Sequence, residues 1–172
     1  MTRAEPSRRL SAAEELLAGQ LDFHRETLLV KLDGLTGEEL RRSRLPSNWT
    51  PLELLHHLTH VERRWLCWGF LGERIPDPWG DAADGTPDGR WHVPDGTTAA
   101  EVREAFAAQC VRSREIAAGA AWEDRAALGG RFAVPEEAPT LGWILLHLLQ
   151  EYARHVGQLD VVRELTDGAV GE

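Results

Sequence analysis

Four stretches of the chain repeat apolar residues at three- and four-residue intervals, and none alternates apolar and polar residues over a strand's length. The pattern predicts an all-α protein. Ser11 followed by Glu14 reads as a capping box opening a first helix that runs to about Leu32, where Asp33-Gly34 stops it. The run Thr50-Pro51-Leu52-Glu53 is a stronger start, with a capping threonine, a proline where its missing N–H costs nothing, and a glutamate at the third position. This second helix should continue to about Leu71, before Gly72. Thr98 with Glu101 opens a third helix that reaches about Ala118 and ends at Gly119, and Thr140 caps a fourth that continues to about Leu165 and stops near Gly168. A single turn of helix fits residues 37–42. Residues 72–97, rich in Pro, Gly and Asp, form one long connection, and residues 119–139 form another. Four amphipathic helices of this length make a four-helix bundle, in which facing side chains can build a site in the core. The expectation is one domain over 1–172, with its core at about 11–166.

Composition narrows the function classes. The 172 residues carry 19 Lys+Arg against 28 Asp+Glu, a formal charge of −9, and the basic residues are scattered. That distribution offers no electrostatic footprint for nucleic acid or for an anionic membrane. The first fifteen residues hold no apolar signal segment and no run is long enough to span a bilayer, so a cytoplasmic location is expected. Cys67 and Cys110 follow neither a zinc-ribbon nor a thioredoxin-like spacing and read as free thiols. All basic residues but Lys31 are arginine, which hints at a GC-rich genome. Asp77, Asp81, Asp84 and Asp88 lack the spacing and closing glutamate of a calcium loop and read as a solvated acidic segment.

The histidines carry the chemistry. Five of the seven fall on two helices: His56, His57 and His60 on the second, His147 and His155 on the fourth. The second helix's core stripe runs through Leu54, Leu58, Val61, Trp65 and Trp68, with His57 on its border and His56 and His60 turned to solvent. The fourth helix's stripe includes Leu141, Ile144, Leu148, Tyr152, Leu159 and Val162, with His155 inside it. Glu151, one turn earlier, flanks the stripe with His147 and Gln158. A carboxylate and an imidazole four residues apart can share one ion, and a divalent cation offsets the cost of a half-buried carboxylate. The same spacing fits an ordinary helix pair, and His57 fits a core histidine, so periodicity alone leaves the metal open. Glu62, on the apolar side of the second helix, is a candidate partner for a buried arginine or a group that positions a ligand. Seven tryptophans, at 49, 65, 68, 79, 91, 122 and 143, suit a pocket wall as well as a core.

The segment Asn48-Trp49-Thr50-Pro51-Leu52-Glu53-Leu54-Leu55-His56-His57-Leu58, followed by Val61-Glu62-Arg63-Arg64-Trp65, resembles the second helix of the DinB-like superfamily. The segment from Leu146-His147-Leu148 through Glu151-Tyr152-Ala153-Arg154-His155-Val156-Gly157-Gln158-Leu159-Asp160 resembles its fourth. In that superfamily a four-helix bundle holds a divalent metal on one side chain of the second helix and two, four residues apart, on the last. Carried over residue by residue, the resemblance implies His57, Glu151 and His155. Many members have histidine where this chain has Glu151; the His, Glu, His set is similar to the actinobacterial mycothiol-dependent branch that includes maleylpyruvate isomerase, where the metal is zinc. That isomerase has a second, C-terminal domain, whereas this chain ends within about ten residues of its fourth helix. A single-domain thiol transferase is therefore the nearer analogue.

The resemblance implies a metal-dependent transferase. Zinc, with nickel as the alternative, would activate a low-molecular-weight thiol, mycothiol above all, for attack on an electrophile. Expected partners are that small-molecule thiol and its electrophile, with homodimer formation left open. A metal-dependent hydrolase using the same ligands, or a metal-binding bundle serving association without catalysis, are the competing classes.

Overall fold

The computed structural model describes residues 5–82 and 91–171, and the described residues are helical with isolated β-bridges between loops. Four long helical segments form the bundle: α1 (Ala13–Leu32), α3 (Pro51–Glu62) continued without a break by a π-helical segment (Arg63–Phe70), α4 (Ala99–Ala118) and α5 (Leu141–Asp167). A one-turn helix, α2 (Gly37–Leu40), lies in the first connection. α1 packs along α5 and α3 along α4, while α3 also meets α5, so the two histidine-bearing helices face each other. None of the helices is long and apolar enough to cross a membrane among the described residues.

Local chemistry sets the starts. Thr50 and Thr98 each accept from the backbone N–H three residues on, and Glu53 and Glu101 reach back to the threonine N–H. Thr140 accepts from the Trp143 N–H, and at the far end Gly168 takes the left-handed conformation that closes α5. The N-terminus of α1 corrects the sequence reading. Its cap is Ala12, which is extended and makes no side-chain cap, so the Ser11 hydroxyl sits one residue too early to serve. The turn at 37–42 is real and opens on a capping box of Thr36 and Glu39.

The second helix departs from an unbroken α-helix. From Arg63 to Phe70 the hydrogen bonds widen to the π pattern, which shifts the angular position of every later side chain. Leu66, Cys67 and Phe70 become the buried face, and Trp65 and Trp68, expected in the core stripe, are only half-buried. The core proper is leucine-rich, with Leu28, Leu54, Leu58, Ile144, Leu148 and Leu159 sealed from solvent. Cys67 and Cys110 are both free and buried.

Candidate metal centre

His57 projects from α3, and Glu151 and His155 project from one face of α5 a single turn apart. Each offers a ligand atom, and these atoms lie within 4.8 Å of one another. The rings of His57 and His155 meet edge to face at 5.2 Å. All three predicted ligands are therefore brought together.

The surroundings fix which atoms face the centre. Asp81 Oδ2 lies 2.7 Å from His57 Nδ1. Burial works against the Asp81 charge, yet hydrogen bonds from His57 and Arg64 hold its carboxyl well below the usual carboxylate range. Asp81 is thus an acceptor, His57 Nδ1 carries the proton, and Nε2 is left with its lone pair. Arg64 clamps Asp81 from the other side with both terminal nitrogens, one of them 3.1 Å from Oδ2. On α5, Gln158 Oε1 sits 2.8 Å from His155 Nδ1, which leaves His155 Nε2 facing Glu151 Oε2 at 3.1 Å. The other carboxylate oxygen of Glu151 lies 3.4 Å from His147 Nε2.

Charge completes the description. Burial lowers the pKa of His57, with Asp81 only partly offsetting it, so the ring is neutral at neutral pH and available as a ligand. The close approach of the His155 ring is the main cause that holds the Glu151 carboxyl below its ordinary value. Because Arg64 balances Asp81, the set retains one carboxylate and two imidazole lone pairs, a donor chemistry that suits a divalent first-row cation. Trp91 stacks on His57 at 4.1 Å and meets His155 edge-on at 5.1 Å. Trp65 and Trp143 cluster against His147 at 4.5 and 5.4 Å, so indoles lie beside the centre at His57 and at His147.

Several expectations change. His56 and His60 are not turned to solvent: they are half-buried, with rings 4.5 Å apart, because α4 and the loop at 77–81 cover the face that a helical wheel leaves open. His56 Nε2 reaches the Gly80 carbonyl oxygen at 3.4 Å, whereas His60 Nδ1 is buried without a hydrogen-bond partner. Neither joins the converging set. Asp81, expected in a solvated acidic segment, is buried and orients His57; Asp77 is exposed, and Asp84 and Asp88 lie outside the described residues. Loop residues follow no period, so the one sequence signal for Asp81 was the arginine-rich turn at Arg63-Arg64, which needs a counter-charge if it is buried. Glu62 does pair with a buried arginine, accepting from Arg25 at 2.8 and 3.0 Å.

Comparison with known proteins adds one finding. The protein-family model described as Mycothiol-S-transferase matches residues 16–168, a span that contains all four long helices from early α1 onward and every residue of the centre. No curated protein matches the chain.

Proposed function

We propose, from the premise that the chain belongs to the mycothiol-S-transferase family, that His57, Glu151 and His155 hold a divalent cation and that the protein transfers a small thiol, mycothiol first, to an electrophile. The observation that supports the metal is the convergence of three ligand atoms within 4.8 Å, each with its remaining polar atom engaged elsewhere. When bound there, a cation such as zinc, or nickel in its place, supplies the positive charge that lowers a thiol's pKa and makes thiolate available near neutral pH.

The chain's own residues do the rest. Asp81 and Gln158 hold the two imidazoles in one tautomer, so the donors are oriented before any ligand arrives. His147 lies beside the other oxygen of Glu151, with Nε2 3.4 Å away, and narrows the space into which the carboxylate can turn. Trp91 covers His57 and His155, while the exposed Trp143 offers flat apolar surface beside His147 to a substrate. In the transfer the thiol proton leaves to solvent, the sulfur forms the new S–C bond, and the electrophile's leaving group departs with its electron pair. The reading assigns the work to one domain in the cytoplasm, where small thiols are kept reduced.

Consumption of monochlorobimane in the presence of mycothiol tests it. Wild-type protein should accelerate conjugation, chelator should abolish the acceleration, and Glu151→Gln should reduce it by weakening the site. Conjugation that survives complete metal removal would overturn the metal's role, and no conjugation by metal-loaded protein with any small thiol would overturn the transferase reading.

A further inference from the structure

The π-helical segment ends beside the second long connection, and the two are joined backbone to backbone. Ala127 N–H donates to the Phe70 carbonyl at 2.8 Å, and Arg131 N–H donates to the Trp68 carbonyl at 3.1 Å. Gly130 lies so close to this segment that a Cβ there would overlap the Trp68 carbonyl oxygen. This docking places the Arg131 side chain on the two indoles that the π turn moved out of the core. Its guanidinium carbon lies 4.3 Å from the Trp65 ring centre, 5.8 Å from Trp68 and 5.5 Å from Trp79.

Arg131 differs from the buried arginines of the bundle. Arg25 and Arg64 each face a carboxylate, Glu62 and Asp81 respectively. Arg131 meets no carboxylate among the described residues, and its Nη1 is buried without a hydrogen-bond partner. Its charge is instead opposed by burial and by the like charge of Arg64. A half-buried cation with an unused N–H is costly to keep unless an anion completes it. The position is also next to the proposed metal centre: the Trp65 ring that carries Arg131 lies 4.5 Å from the His147 ring, and His147 Nε2 lies 3.4 Å from Glu151.

We propose that Arg131 recognises an anionic group on the electrophile, and that the preferred electrophiles carry a carboxylate on an aromatic or otherwise flat skeleton. A guanidinium presents parallel N–H donors that match a carboxylate's two oxygens, and the exposed indole of Trp79 beside it offers apolar surface to a flat skeleton. The proposal rests on the transferase reading for its use, but the anion site can be tested without catalysis.

Binding is read first, by quenching of tryptophan fluorescence with two unreactive probes of equal shape, 4-methylbenzoate and 4-methylbenzamide. Wild-type protein should prefer the benzoate about tenfold; equal affinities overturn the proposal. Arg131→Met should lose the preference and Arg131→Lys should keep part of it, whereas an unchanged preference in Arg131→Met overturns the assignment by placing the carboxylate elsewhere, for example on the metal. Should Arg131→Met fail to fold, the wild-type and Arg131→Lys titrations still decide. The reaction is read second, with mycothiol and either 4-(chloromethyl)benzoate or 4-(chloromethyl)benzamide. In each case the S–C bond forms, the C–Cl bond breaks, chloride leaves with the electron pair and the thiol proton goes to solvent. The thiol is common to both arms, so a carboxylate on the thiol cannot produce a difference. The ratio of kcat/KM, benzoate over benzamide, should be about ten in wild type and fall towards one in Arg131→Met. Conjugation with no preference overturns this proposal and spares the transferase reading, while preferential binding without conjugation of either compound does the reverse.

Discussion

In the proposed centre His57 is the one ligand that α3 would contribute, since neither His56 nor His60 joins the converging set, so its loss should not be made good by a neighbour on the same helix turn. Elemental analysis of gently purified His57→Ala should show metal falling from about one equivalent towards none; equal metal in both proteins would place the cation elsewhere. Asp81→Asn keeps the shape of the partner and removes its charge, so metal affinity measured by chelator competition should fall about 10–100-fold while the fold persists. The three converging residues were legible in the sequence because two of them obey the four-residue helical spacing and the third borders an apolar stripe. Asp81 was not, because its contact with His57 is made by a loop, and loops carry no period from which a facing partner can be read. His60 shows the same blindness from the other side, since a wheel cannot see the loop and helix that cover it. Burial first, and then His56 beside it, push its pKa down to about 4. In the unfolded chain the ring takes a proton near 6.5, so between those values the unfolded state binds more protons and stability falls as pH drops. Urea midpoints of metal-free protein should therefore decline from pH 7 to pH 4.5, by about 1–2 kcal/mol from this residue once solvent screening is allowed for. His60→Asn should flatten that decline; an identical decline would mean the ring is solvated.

At the scale of elements, the threonine caps were the most legible features, because each signature satisfies backbone donors that nothing else in the segment can satisfy. The π segment carries no such local signature, and its end is tied to a distant part of the chain. The Phe70 and Trp68 carbonyls are taken by the loop at 127–131, more than fifty residues away, and no window of the sequence shows that pairing. This is also why Trp65 and Trp68 were misassigned to the core, since their angular position depends on the wider turn. Gly130 is where the two elements touch most closely, with a Cβ coming within 2.7 Å of Gly72 Cα besides overlapping the Trp68 carbonyl. Gly130→Ala should cost about 1–3 kcal/mol in urea unfolding, the usual range for overpacking against backbone. It should also weaken the benzoate preference, because Arg131 is carried by the displaced loop. Full retention of stability would show that the loop can lift without consequence.

Across the whole molecule, one polar cluster ties all four long helices together. Arg25 of α1 donates to both oxygens of Glu62 of α3, Tyr152 of α5 donates to one of those oxygens, and Cys110 of α4 lies 3.9 Å from it. Glu62 is fully buried and Arg25 nearly so. Burial and the neighbouring Glu62 push the Cys110 thiol up to about 12, which keeps it a neutral, unreactive member of the cluster. Removing one charge of such a pair leaves the other buried and unpaired, which costs about 3–5 kcal/mol, whereas replacing both by apolar residues of similar volume is often near neutral. Glu62→Gln alone should therefore destabilise the protein by several kcal/mol in chemical unfolding, and Arg25→Met combined with Glu62→Leu should recover most of the loss. The proposed metal centre uses other residues of α3 and α5, so metal content in the folded double variant should stay near the wild-type value. A double variant as unstable as Glu62→Gln would show that the cluster stabilises the bundle through its net of hydrogen bonds, including those of Tyr152 to Glu62 and of Arg25 to Asp22 at 2.8 Å, more than through the cost of an unpaired charge.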